Sequence, residues 1–386
     1  MEIFPLEVVT QGDLQELCKT LWSWKICADC TSSKKCQAPP EVCPSYRTKR
    51  LGPYFEFYKR QAAAYSPDTK GSGQQVLNTH QNLFQLIRAF QNAPDTKRAH
   101  LAATASYKQD EAINTAVRVM LMVTCGRGHS SATELEAGIN LRPWKDQMAL
   151  TQFFDECFPT SDHPSLNDMN AAPSRNIKEA LAATKLKKRA GLRFCPTDNL
   201  RRHLELDRKN GTVLIFHHTA FLKEHLRRTR STVLQSTSDA IKLGTLPRQL
   251  ALEVLDSIQK VIFPLDDAKS KAFLESLTVC GGAAAAGFDP DCCRFETSTI
   301  RRDDEYDLPY YYFGDRLMDL YAELENPTPK GGFEKWLQRR SNARYVMLAT
   351  LAGVVVAIVL GIAGLCVESY QTWISYQAWK HPVTSN

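Results

Sequence analysis

The stretch YVMLATLAGVVVAIVLGIAGLCV, residues 345–367, decides the architecture of the chain because none of its 23 side chains is charged. As an α-helix it would reach about 34 Å, slightly more than the roughly 30 Å hydrocarbon core of a bilayer. It lacks the polar stripe that a helix on the surface of a soluble core shows. The sequence therefore predicts one transmembrane helix over residues 345–367.

The charges on either side of this span predict its orientation. The segment before it is basic, whereas the segment after it begins with Glu368 and has Lys380 further on. By the positive-inside rule the large N-terminal part stays in the cytosol, where the basic flank would also attract anionic membrane lipid. The flank consists of Lys335, Arg339, Arg340 and Arg344.

Residues 368–386 would then form a short translocated tail, whose aromatic residues are typical of a membrane interface. The opening residues MEIFPLEVVTQGDL have neither the basic nor the apolar region of a signal peptide. We therefore expect a tail-anchored protein of the endoplasmic reticulum or another membrane of the secretory pathway. The only usable glycosylation sequon begins at Asn210, and a glycan there would contradict this topology.

Small residues recur at intervals of four along the predicted span. They lie on one helix face and would let a second helix approach closely, which predicts a homodimer through this face. Transmembrane helices are rich in Gly and Ala in any case, and this second reading stays open. The four residues are Ala349, Gly353, Ala357 and Gly361.

Four of the chain's 12 cysteines are closely spaced near the N-terminus, at Cys27, Cys30, Cys36 and Cys43. In a reducing compartment, the spacing C-x2-C-x5-C-x6-C favours thiolate ligation of zinc over disulfides. One tetrahedral zinc site from these four residues is a candidate. Free or partly buried thiols without metal are the alternative.

The remaining sequence predicts a mainly α fold with one short β-hairpin. The segment LPRQLALEVLDSIQKVIFP, residues 246–264, has helical periodicity between two prolines, and Asn210-Gly211 is a hairpin turn signal. We divide the chain into a Cys-rich segment 1–60, a helical cytosolic domain 61–325 and a linker with a juxtamembrane helix at 326–344. The transmembrane helix and the tail follow.

No common catalytic motif is present: the sequence lacks a phosphate-binding P-loop, a dinucleotide-binding G-x-G-x-x-G, a nucleophile elbow and an H-E-x-x-H helix. Four nearby histidines are candidates for metal binding or proton transfer, with packing and hydrogen bonding as the alternative. An acidic run beside two arginines is a candidate cation site, or else a solvated loop with local ion pairs. The histidines are His203, His217, His218 and His225; the acidic run is Asp303, Asp304, Glu305 and Asp307, beside Arg301 and Arg302.

Three stretches resemble a family of uncharacterised filamentous-fungal proteins with a C-terminal membrane helix. They are NLRRHLELDRKNGTVLIFHHTAFLKEHL at 199–226, YYYFGDRLMDLYAELENPTPKGGFEKWLQRRSNARYVMLATLAGVVV at 310–356 and YQTWISYQAWKHP at 370–382. The likeness extends from about Leu192 onward. It implies a fungal origin and a membrane location, and it supplies no catalytic residues.

The sequence thus predicts a membrane-anchored scaffold, tether or regulatory binding module with an unknown cytosolic protein partner. One alternative is a membrane-held zinc-binding or nucleic-acid-binding regulator, although a formal net charge of +6 is mild for 386 residues and does not favour nucleic acid. A membrane-associated enzyme of another class is the second alternative. Apart from zinc, no cofactor is implied.

Overall fold

A computed structural model describes residues 6, 8–27, 30, 36, 43–65, 77–104, 110–126, 142–168, 172–233, 236–279, 287–328 and 343–380. The chain divides into two compact units, Met1–Pro327 and Thr328–Asn386.

Helices make up most of the described part of the first unit, which confirms the predicted mainly α fold. The helix Arg248–Asp256 continues directly into a π-helix, Ser257–Ile262. Short 3₁₀ turns lie at Pro44–Arg47, Leu200–Arg202 and Pro290–Cys293. The α-helices are α1 Gln11–Trp22, α2 Gly52–Ala64, α3 His80–Asn92, α4 Arg98–Thr104, α5 Asp110–Leu121, α6 Leu150–Cys157, α7 Pro164–Asn167, α8 Ala172–Ala180, α9 Ala183–Ala190, α10 Thr219–Arg228, α11 Thr237–Lys242, α12 Arg248–Asp256, α13 Ala268–Val279 and α14 Gly314–Glu325.

Two small sheets accompany the helices. Strands β1 Cys125–Gly126 and β2 Arg142–Pro143 pair in parallel. In the second sheet, of order β3-β5-β4, strands β4 Glu205–Asp207 and β5 Thr212–Phe216 form the predicted antiparallel hairpin. Gly211 in its turn has φ of 63°, the left-handed region that glycine enters without steric cost.

The parallel neighbour of this hairpin, β3 Arg193–Thr197, was not predicted. Its five residues, RFCPT, include a proline and have no clear alternation of apolar and polar side chains. The strand forms because its pairing with β5 supplies backbone hydrogen bonds, a tertiary contact that the local pattern does not encode. The residue that follows the strand is Asp198.

One hydrophobic core runs through the first unit. Leu17 and Trp22 of α1 belong to the same buried cluster as Phe84, Phe221 and Leu255 from later helices. Helix α1 of the Cys-rich segment therefore shares the core of the helical domain. Helix α1 begins with a capping box, in which Thr10 is the N-cap and Asp13 is its partner.

The second unit contains α15, Ala343–Lys380. Within it, Thr350–Gln377 is long and apolar enough to cross a membrane, and its described side chains are exposed. The helix does not stop at Val367 but continues into the segment that the sequence assigned to the tail. The predicted linker and juxtamembrane helix at 326–344 lie almost entirely outside the described residues.

The small residues of the predicted dimer face lie on this helix. A Cβ atom added at Gly353 or Gly361 would meet no other atom within 4 Å, and Ala357 is exposed as well. The side chain of Ala349 lies outside the described part of the chain. Dimerisation through this face stays a prediction.

Candidate metal centre

The four N-terminal cysteines converge in space. The sulfur of Cys27 lies 3.3 Å from that of Cys30 and 3.3 Å from that of Cys36, and the sulfurs of Cys30 and Cys43 are 3.4 Å apart. All four sulfurs lie within 4.8 Å of one another. A disulfide bond would bring two sulfurs to about 2.05 Å, so the cysteines are present as thiols.

The local backbone structure positions Cys27, Cys30 and Cys43. Helix α1 ends at Trp22, its C-cap Ser23 turns the chain back with φ of 53°, and Cys27 follows four residues later. The backbone N–H of Cys30 donates to the carbonyl of Cys27 at 3.2 Å, and the two sulfurs lie 3.3 Å apart. Cys43 is buried and immediately precedes the turn Pro44–Arg47.

The surroundings favour a thiolate at Cys43. Burial works to raise the pKa of this thiol, but hydrogen bonds from the backbone N–H groups of Cys27 and Ser45, together with the neighbouring thiols, outweigh it and lower the pKa to about 7. The hydrogen bond with Cys36, followed by burial, raises the pKa of Cys30. The thiol of Cys43 therefore loses its proton at a lower pH than that of Cys30.

A zinc ion fits this donor set. Tetrahedral zinc binds thiolate sulfur at about 2.3 Å, which separates the sulfurs by roughly 3.8 Å, close to the distances between the four cysteines. A metal would also stabilise all four thiolates at once. Cys27, Cys30, Cys36 and Cys43 are thus the residues that would hold it, in a closed site of the structural kind.

The chain after the cysteines is fixed to the domain through Glu224 of α10, which is buried. Arg47 approaches both carboxylate oxygens, with Nε at 2.7 Å from Oε1 and Nη2 at 3.0 Å from Oε2. The indole of Trp24 donates to Oε2 at 3.3 Å, and the Arg47 guanidinium lies 5.2 Å from the Trp24 ring centre. The segments on both sides of the cysteines therefore meet at one buried carboxylate.

A second group of possible metal ligands lies at the end of β3 and β5. The Nε2 atoms of His217 and His218 lie 3.3 Å and 2.7 Å from Oδ1 of Asp198, and Arg60 donates to Oδ2 at 2.7 Å. Burial works to raise the pKa of Asp198, but the hydrogen bonds from both histidines outweigh it and hold that pKa well below its usual range.

The hydrogen bonds of this second group disfavour a metal there. The backbone N–H of Asp289 donates to Nδ1 of His217 at 3.1 Å, so the proton of the neutral ring is on Nε2, the atom that faces Asp198. A ring nitrogen that carries a proton cannot ligate a metal. The arrangement is that of a carboxylate stabilised by three donors.

The other two predicted histidines have separate partners. His203 accepts the N–H of Phe216 at Nδ1 and lies 2.7 Å from the Ser257 hydroxyl, whereas His225 accepts the N–H of Leu246. Burial lowers the pKa of His218 to about 4 and that of His225 to about 3. Both rings are neutral near pH 7: His225 accepts a backbone N–H through Nδ1, whereas His218 donates to Asp198 through Nε2.

The acidic run separates into two parts. Asp303, Asp304 and Asp307 are exposed, whereas Glu305 is buried in an ion pair with Arg248 of α12. Arg301 is buried as well and pairs with Asp256. The local alternative, a solvated loop, describes the three aspartates, and the two buried ion pairs connect this loop to α12.

Sequence reasoning named the cysteines and the paired histidines but missed Asp198 and Glu224. Asp198 follows a strand that was not predicted, and Glu224 is one of several polar residues in the helical stretch 219–228. The run HHTAFLKEHL gave one signal, because its charged residues Lys223 and Glu224 stand among apolar side chains. The pairing itself was not readable: Arg47 lies 177 positions from Glu224, and Asp198 lies 19 and 20 positions before the two histidines but follows an unpredicted strand.

No family model matches the chain, and searches of curated proteins and of solved structures likewise give no match. The resemblance to fungal membrane proteins therefore stays a prediction.

Proposed function

We propose that this protein is a single-pass membrane protein that holds a helical binding module, organised by one structural zinc ion, at the cytosolic face of its membrane. The observation that carries the proposal is the convergence of four cysteine sulfurs within 4.8 Å in a segment that packs onto the helical domain. This merges the predicted scaffold or regulatory module with the zinc-binding alternative. The module's partner is a cytosolic protein.

The membrane part of the proposal is supported by Thr350–Gln377, which is apolar and fully exposed. Exposing that much apolar surface to water would be unfavourable, so the helix requires lipid or another apolar partner. The basic residues that precede it favour a cytosolic first unit. We assign the protein to the endoplasmic reticulum or another secretory-pathway membrane, with the C-terminal end translocated.

A binding role is favoured over catalysis by how the candidate polar groups are used. Asp198, Glu224 and Glu305 each accept hydrogen bonds or ion pairs within the fold. His203 and His225 accept backbone N–H groups. A catalytic acid or base needs to reach a substrate, and these groups are occupied by the protein itself.

Proximity labelling tests the tether. The labelling enzyme is fused to the N-terminus of the full chain and of a variant that ends at residue 342. We expect the full chain to label membrane-associated proteins, and the truncated variant to lose most of those neighbours. The same neighbours for both chains would contradict a role that depends on the anchor.

Glycosylation tests the orientation. Asn210 lies exposed in the hairpin turn, so a transferase in the lumen would find it accessible. We expect no glycan on Asn210 in cells, while a sequon appended after Asn386 becomes glycosylated. A glycan on Asn210, with none on the appended sequon, would reverse the topology.

A further inference from the structure

A cavity of about 760 Å³ borders the metal centre. Its walls come from the end of α1, the residues that follow Cys43 and the last turn of α10. This volume lies within the range of sites that hold small molecules. None of the four cysteines lines the cavity. It adjoins the metal centre through Pro44, Tyr46 and Arg47, which line it and follow Cys43 in sequence.

The charges of this cavity are unbalanced. Of the described residues, five cations and one carboxylate, that of Glu224, line it. Arg47 and Arg227 already pair with Glu224. Among the described residues, Lys25, Arg228 and Arg230 have no carboxylate partner.

Arg228 is the most constrained of the three. Its Nη2 donates to the Ser23 hydroxyl at 3.2 Å, while its Nε is buried with no acceptor in the described part of the chain. Its guanidinium lies at the cavity wall with a hydrogen bond to a neutral hydroxyl, and an anionic ligand would supply the charged partner that it lacks among the described residues. Lys25 and Arg230 are exposed and free to move toward such a ligand.

An aromatic ring borders the same space. Tyr46 is half exposed, and the Arg47 guanidinium lies 5.4 Å from its ring centre. Arg47 also covers Trp24, so the indole is used within the protein. The remaining exposed part of the Tyr46 ring offers a flat apolar surface for a ligand ring beside the cations.

We propose that this cavity binds a small, multiply phosphorylated molecule, whose phosphate groups contact Lys25, Arg228 and Arg230. Arginine and lysine are the side chains that bind phosphate oxygens most strongly. In this cavity Lys25, Arg228 and Arg230 have no carboxylate partner among the described residues. The source of the phosphates is a soluble nucleotide or the headgroup of a phosphorylated lipid. The proposal depends on neither the membrane anchor nor the bound metal.

Calorimetric titration of the full chain in detergent tests it. The probes are ATP, inositol 1,4,5-trisphosphate and tripolyphosphate, and zinc content is measured for every sample. We expect saturable binding of one molecule per chain for at least one probe. A preference for ATP identifies a nucleotide, and a preference for the inositol phosphate identifies a lipid headgroup.

The pocket variant Lys25→Glu with Arg230→Glu should weaken binding roughly 100-fold, since each lost cation contact weakens it about tenfold. Its matched control, Lys188→Glu with Arg189→Glu, makes the same change of charge at exposed positions on α9. The control should bind within about twofold of the unchanged chain. The milder Arg230→Gln variant should weaken binding about tenfold if the double variant fails to fold.

Two results would overturn the site. One is no saturable binding of any probe by a chain that melts cooperatively. The other is equal weakening in the pocket variant and the control, which would reduce the effect to the overall charge of the protein. Neither result bears on the zinc centre, which is measured independently.

Discussion

In the described part of the chain, two groups of side chains have the composition and closeness of a metal site, yet their surroundings differ. Cys27, Cys30, Cys36 and Cys43 contact one another through their sulfurs. Asp198, His217 and His218 contact one another too, but Arg60 also donates to Asp198 and the backbone N–H of Asp289 donates to His217. Closeness alone therefore does not identify a metal site.

The difference lies in what each group would gain from a cation. The thiols are mutually crowded, and bringing all four to the thiolate state without a metal would place like charges side by side. The carboxylate of Asp198 already has three donors, and a metal would have to displace them. We infer that zinc stabilises the first group and would destabilise the second.

The largest expected effect follows from removing the thiols. Cys27→Ser with Cys30→Ser should reduce bound zinc from one to none per chain. The lost binding should destabilise the first unit by roughly 4 kcal/mol or more, the value for a ligand present at a thousand times its dissociation constant. Metal analysis and thermal denaturation of the detergent-solubilised chain measure both effects. If the double variant retained zinc, the four cysteines would not be the metal site.

A smaller effect is expected from Asp198→Asn. This change removes the charge that accepts from His217, His218 and Arg60, and we expect a loss of about 2 kcal/mol because the carboxylate is partly exposed. Zinc content should stay at one per chain. Denaturant unfolding and metal analysis of the same preparation test both expectations. Loss of zinc in this variant would mean that the metal is bound by the Asp198 group and not by the cysteines.

The buried histidines add a pH dependence. Burial lowers the pKa of His225 to about 3 in the folded chain, whereas the unfolded value is about 6.5, so the unfolded chain binds more protons between these values. Stability is therefore lost as the pH falls below about 6.5. Between pH 7 and pH 5 this ring alone should cost about 2 kcal/mol.

His225→Asn keeps an acceptor for the N–H of Leu246 but does not titrate in this range. The variant should be less stable than the unchanged chain at pH 7, and this difference should shrink by about 2 kcal/mol at pH 5. Urea unfolding at both pH values measures it. Parallel losses in the two chains would show that His225 is not the group that titrates.

The smallest expected effect comes from a cysteine outside the cluster. Cys195 of β3 is partly exposed and has its sulfur in none of the close sulfur pairs. Cys195→Ser should change the free energy of unfolding by less than about 0.5 kcal/mol and leave zinc unchanged. A drop in bound zinc would mean that cysteine content, rather than the four named positions, determines metal binding.

The sequence was sufficient for the features that depend on local pattern. The periodicity at 246–264 predicted α12, the Asn210-Gly211 turn predicted the hairpin, and the uncharged run predicted the apolar α15. The cysteine spacing named the four thiols that converge. Each of these signals lies within a few tens of residues, where spacing and side-chain type determine the geometry.

The features that were missed lack a pattern of their own or join distant residues. The strand β3 lies close in sequence to its partner β5, but RFCPT has no strand pattern. Arg47 meets Glu224 across 177 positions, and the cavity joins Lys25, which follows α1, to Arg230, which follows α10. No local pattern encodes such pairs. The histidine cluster shows the same limit, because the sequence named the rings but not the Asp198 carboxylate that engages two of them.

The most direct test of the zinc centre is X-ray absorption at the zinc edge, together with metal analysis, on the full chain purified in detergent without added metal. We predict one zinc per chain with four sulfur neighbours at about 2.3 Å. A chain that carries no zinc, or a zinc shell that includes nitrogen from histidine, would contradict the assignment of the metal to Cys27, Cys30, Cys36 and Cys43.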